Sequence, residues 1–136
     1  MKKYTFILIA LVFSSLCIKA QTTNSAVISN VSSEEFSKMI NTDKTAIIID
    51  LRTDKEIEKG FIAGAIQIDY LGKTFDNQIA ALDKEKTYFV YCQSGGRSSD
   101  AAAYMEKQGF KKIINLEKGF SDWKQKGFPI DSKTNK

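Results

Sequence analysis

The chain has 136 residues, 43% of them hydrophobic and 26% charged, with a formal net charge of +4, two cysteines and no histidine. One domain is the expectation at this length. The missing histidine excludes a Ser-His-Asp or Cys-His relay and any His-containing zinc site, and two cysteines cannot build a four-thiolate metal site.

Residues 1–20 read as a secretory signal peptide. Lys2 and Lys3 precede an apolar run from Tyr4 to Leu16, and Ala20 stands at the cleavage point; the run is shorter than the ~20 residues a membrane span needs. An uncleaved anchor, or a lipid attached to Cys17, are the alternatives. Cleavage after Ala20 would make this an exported protein, periplasmic or secreted, without stable membrane association. It would also take Lys2, Lys3 and Lys19 and no acid, so the net charge of +4 falls by three, to +1. Nucleic acid is therefore not expected as a partner. Cys92 would remain as the one cysteine, an unpaired thiol in an oxidising compartment, which calls for a reason.

After a lead-in over 21–30, residues 31–130 alternate helical and strand patterns, and 131–136 form a polar tail. Ser33-Glu34-Glu35-Phe36 predicts a capped helix with Phe36, Met39 and Ile40 on its inner face. Ala46–Ile49 predicts a strand, Thr53–Lys59 a short helix ended by Gly60, and Ala65–Ile68 a second strand. Phe75, Ile79 and Leu82 mark a helix at i, i+4 and i+7. Tyr88–Tyr91 is a continuous apolar strand, followed by a helix over Ser98–Gln108, a strand over Ile113–Leu116 and a helix over Phe120–Lys126. Strands separated by helices predict an α/β fold, a mostly parallel central sheet with helices on both faces. Ligands of such sheets gather at the C-terminal ends of the strands.

One such end carries a thiol. Cys92 closes the Tyr88–Tyr91 strand and leads into Gln93-Ser94-Gly95-Gly96-Arg97-Ser98 and then a helix. Gly95 and Gly96 would let the loop turn its N–H groups inward, and the helix adds its positive end. With Arg97, these groups would lower the thiol below its free value of ~8.5 and cradle an anionic substrate. The plainer alternative is a small cysteine buried at a strand end.

Three blocks of the sequence together resemble the single-domain rhodaneses, over about Val31 to Ile130. The first runs from Asp50-Leu51-Arg52 through Glu56 and Gly60 to Gly64-Ala65. The second is the Cys92–Ser98 loop, and the third is Gly119-Phe120-Ser121-Asp122-Trp123 with Gly127-Phe128-Pro129. The resemblance implies a sulfurtransferase with a rhodanese-like fold and no cofactor or metal. The Cys92 thiolate would take the outer sulfur of thiosulfate or a similar small anionic donor, releasing sulfite, and pass it from a persulfide to cyanide or a thiol. A monomer is expected. Backbone N–H groups of residues 93 to 97 would hold the donor's oxygens. Arg97 would contact the donor or tie the loop down, with Glu56 as its partner. Asp50 and Arg52 would line or support the site, Tyr70 and Phe75 would wall the pocket or simply pack, and Trp123 belongs to the core. Phe61 stands where the family usually has histidine, and Lys118 where a glycine often precedes Gly119; the first predicts altered packing, the second a changed turn.

Two other readings remain open on the sequence. One is a persulfide-carrying binding or sensing module with little turnover of its own. The other is a cysteine-based phosphatase or arsenate reductase, but those loops place five residues between cysteine and arginine, and this one has four.

Overall fold

The computed structural model describes residues 27–133. Over this span the order is β1 (Ile28–Val31), α1 (Ser33–Thr42), β2 (Ile47–Asp50), α2 (Asp54–Ile57), β3 (Ile66–Gln67), α3 (Phe75–Ala80), β4 (Thr87–Tyr91), α4 (Gly96–Lys107), β5 (Lys112–Leu116) and α5 (Gly119–Gln125). The strands form one sheet in the order β1-β5-β4-β2-β3, and every neighbouring pair is parallel. The α/β class expected from the alternation is the class observed.

The sheet separates two cores because successive side chains of a strand face opposite ways. On one face Tyr88, Val90 and Cys92 of the β4 segment pack with Phe75 and Ile79 of α3 and Ala101, Ala102 and Met105 of α4. On the other, Phe89 and Tyr91 pack with Phe36 of α1 and Phe120 and Trp123 of α5. A run that is apolar throughout thus serves both faces of a central strand. Trp123 is core, with its indole N–H donating to Pro129 O at 2.9 Å.

Beyond shifts of one or two residues at the ends of several elements, four differences from the sequence expectation bear on the site and its supports. Strand β1 includes Ile28, Ser29 and Asn30, which were read as lead-in; it is an edge strand, paired only with β5, and its polar centre hides the alternation. Asp131, read as tail, exchanges backbone hydrogen bonds with Phe61 at 2.7 and 2.9 Å. The cap of α1 is Ser32, whose hydroxyl accepts from Glu35 N; Ser33 instead donates to Asp122 at 2.6 Å, tying α1 to α5. Helix α4 begins at Gly96, two residues earlier than Ser98, so half of the glycine pair is helical. Residues 1–20, read as a signal peptide, lie outside the described residues.

Candidate active site

Cys92 leaves β4 at the C-terminal edge of the sheet and is 1% exposed. The chain then turns through Gln93, Ser94 and Gly95 into the N-terminus of α4. Gly95 makes the turn at φ 102°, and its N–H donates to Cys92 Sγ at 3.1 Å. A Cβ on Gly95 would lie 2.0 Å from the carbonyl oxygen of Glu117, so no other residue fits there without moving β5's exit. Gly96 has no such constraint: its φ is not positive and a Cβ would meet nothing within 4 Å. The expected role of the glycine pair therefore belongs to Gly95 alone.

The sulfur's environment favours the thiolate. Burial works against the charge, but the Ser98 hydroxyl and the backbone N–H groups of Ser98, Ser94 and Gly95 outweigh it, and the thiol is drawn below its ordinary value. A hydroxyl has one proton. Donated to Gly95 O, at 3.1 Å, it leaves the sulfur to the N–H groups; turned to the sulfur, it joins them.

The loop is held from behind by a buried polar chain. Arg52, 1% exposed, forks onto Asp50 at 2.7 and 3.0 Å, donates to Gly60 O at 2.8 Å and lies 3.9 Å over the Phe120 ring. Its remaining nitrogen donates to Gln93 Oε1 at 3.2 Å, while Gln93 Nε2 donates to Ser121 Oγ at 2.9 Å. The Tyr91 hydroxyl donates to Asp50 Oδ2, the oxygen that Arg52 also contacts at 2.7 Å, and burial, then that carboxylate, raise the phenol well above its usual range. Burial disfavours the Arg52 charge, but Asp50 more than offsets it and the guanidinium stays protonated. Asp50 and Arg52 thus meet the loop only through the Gln93 side chain.

Behind the loop also stands the N-terminus of α5. Its Phe120 and Ser121 N–H groups donate to Cys92 O and Gln93 O at 2.8 and 3.0 Å. This approach needs Gly119, at φ 64°, where a Cβ would sit 2.6 Å from Cys92 O. Gly119, Phe120, Ser121 and Tyr91 are site-building residues that the sequence did not single out for that task, although the first three lie inside a quoted motif.

Arg97 stands at the mouth. It is not aimed at the sulfur: its two terminal nitrogens donate to Glu56 Oε1 and Oε2 at 2.6 and 2.9 Å. Glu56 is fixed in turn by a capping box, accepting from the N–H and hydroxyl of Thr53 at 3.0 and 2.9 Å. Held chiefly by Arg97, its carboxyl is lowered from 4.5 to about 2. Of the two roles weighed for Arg97, tying the loop is the one its contacts describe. Tyr70 and Phe75 meet edge to face, 5.0 Å apart, in the cluster that contains Cys92. Among the described residues no group of three acidic or cysteine side chains is placed to hold a metal.

Residues 32–126 match the model of the rhodanese-like domain family. The chain belongs to that family. It is 30% identical over 104 residues to a sulfurtransferase of Allochromatium vinosum, covering 76% of this chain and 95% of that one. It is 37% identical over 100 residues to the provisionally named sulfur carrier protein YrkF of Bacillus subtilis (strain 168), covering 74% of this chain and 53% of that protein. A rhodanese-like domain protein from Staphylococcus aureus superposes with a TM-score of 0.67 at 26% identity, over 78% of this chain and 99% of that chain. Sulfur transfer of the rhodanese type is the activity these relatives support. Against the rhodanese pattern, Phe61 is built into a backbone bridge with Asp131, away from the sulfur's hydrogen-bond partners. Lys118 takes an unstrained φ of −100° before Gly119.

Proposed function

We propose that this rhodanese-like domain is a sulfurtransferase that carries sulfur on Cys92 as a persulfide. The observation that carries the reading is the sulfur itself, seated among the Ser98 hydroxyl and the backbone N–H groups of Ser98, Ser94 and Gly95. Such a cradle stabilises a thiolate before the reaction and the charge of a persulfide after it, so one set of dipoles serves both states. Attack on a donor's outer sulfur forms the new S–S bond and releases the donor's remainder; an acceptor thiolate or cyanide then attacks the outer sulfur and restores the thiolate. Phosphoryl chemistry fits less well, because the guanidinium that would bind the phosphate is filled by Glu56 and the loop is one residue short. The likeness to the carrier protein favours a second reading, in which Cys92 loads but hands its sulfur on only to a dedicated partner.

Steady-state transfer from thiosulfate to cyanide separates the two. An enzyme gives parallel double-reciprocal lines as each substrate is varied, with activity lost in Cys92→Ser. Stoichiometric loading without turnover supports the carrier, and no loading from thiosulfate or from a persulfide donor refutes both. We further propose export, with cleavage after Ala20; a protein from the producing cell that begins at Gln21 supports this, and one beginning at Met1 in the cytosolic fraction contradicts it.

A further inference from the structure

We infer that the preferred sulfur donor is a persulfide, R–S–SH, rather than thiosulfate, and that Glu56 sets this preference by occupying Arg97. The inference rests on the sulfur-transfer reading and names the donor class for the same site. The cradle offers a dianion little: the groups that hydrogen-bond the thiolate are uncharged dipoles, and the one arginine of the loop, near enough to feel the Cys92 charge, has both terminal nitrogens committed to a carboxylate. Asp69 adds a second negative charge within reach of Arg97. Of the uncharged loop side chains, the Gln93 amide is engaged between Arg52 and Ser121, and the exposed Ser94 hydroxyl offers a dipole but no charge. Lys59 and Lys124 line a hollow with Arg52, Glu56, Gln93 and Phe120, of which Cys92 is not a wall.

Charge bookkeeping then separates the donors. With thiosulfate, Cys92–S⁻ bonds the outer sulfur, the S–S bond breaks, and sulfite leaves with the electron pair; three negative charges converge where Arg97 is already neutralised. With R–S–SH, the same bond forms, R–S⁻ leaves with the pair, and the proton stays on Cys92–S–SH. With an uncharged R group one negative charge is present, or two if the donor is ionised. Repulsion between like charges in a partly desolvated cleft favours the second course.

The test measures single-turnover loading of Cys92 by thiosulfate and by 2-hydroxyethyl persulfide, whose R group is uncharged, each in the wild type, Glu56→Gln and Asp69→Asn. Gln at position 56 keeps an oxygen for the Thr53 cap while releasing Arg97. The wild type should load faster from the persulfide, and its thiosulfate-to-persulfide ratio should climb as added salt screens the repulsion. Glu56→Gln should raise that ratio by about fivefold at low salt and flatten its salt dependence, with Asp69→Asn moving it the same way by less. Thiosulfate loading as fast as the persulfide in the wild type overturns the inference, as does a Glu56→Gln protein whose two rates fall together at a constant ratio. If Glu56→Gln does not fold, the ratio in Asp69→Asn decides: unchanged, it overturns the inference. Loading by neither donor is a different result, which removes the sulfur-transfer reading itself.

Discussion

Arg52 and Arg97 each fork onto a carboxylate, yet one pair is sealed behind the loop and the other stands at its mouth. The Arg52 and Asp50 side chains are 1% and 2% exposed; those of Arg97 and Glu56 are 23% and 29% exposed. The same chemistry has different consequences at the two depths. A sealed pair that loses one member strands an uncompensated charge, so its cost is large and it acts on stability. A pair in contact with water is screened, so its net contribution is small and what it controls is where a guanidinium points. The back of the loop fixes the sulfur's position, and the mouth decides what approaches it.

The sharpest way to break this distinction is to unseal the back. Asp50→Ala leaves Arg52 buried against Gly60 O, Gln93 and the Phe120 ring, and should lower unfolding free energy by about 3–5 kcal/mol in a denaturant titration. A loss no larger than that of Glu56→Ala would erase the difference between the pairs. Next in size is Gly95→Ala, which forces a left-handed φ on alanine and drives a Cβ into Glu117 O; a loss above about 2 kcal/mol is expected. The same substitution at Gly96, toward the mouth, should change stability by no more than about 0.5 kcal/mol.

The mouth pair should reveal itself through pH. Glu56 is lowered from 4.5 to about 2 in the fold, so its contribution is whole above the unfolded value and is lost as pH falls toward about 2. Its exposure limits that contribution to about 1 kcal/mol. Stability of the wild type should therefore drop more steeply between about pH 5 and 2 than that of Glu56→Gln. The sulfur's own environment can be checked by iodoacetamide alkylation. The rate should level off below the pH of a free thiol, ~8.5, and Ser98→Ala should move that inflection upward.

Much of this arrangement is legible in the sequence, for physical reasons. The apolar run Tyr88–Tyr91 reads as a strand buried on both faces, and a cysteine at its exit, followed by glycine and a helix, then stands at the C-terminal edge of the sheet. Glu56 as partner of Arg97 follows from the family block. What stays hidden is what depends on close approach in three dimensions. Nothing local says that Gly95 lies against Glu117 or that Gly119 lies against Cys92, because each glycine is required by a backbone far away in sequence. Asp50 and Arg52 read from the sequence as residues that line or support the site, and their place behind the loop shows only once Tyr91 and Phe120 are seen to enclose them. Strand β1 escapes because an edge strand needs only one apolar partner, and Ser29 and Asn30 break its pattern.

The claim at the centre is that Cys92 receives and holds a sulfur atom. Intact-protein mass spectrometry after exposure to a sulfur donor tests it most directly. The account predicts a gain of one sulfur atom in the wild type, removed by cyanide and absent in Cys92→Ser. An unchanged mass with thiosulfate and with persulfide donors, or an adduct that persists in Cys92→Ser, would contradict it.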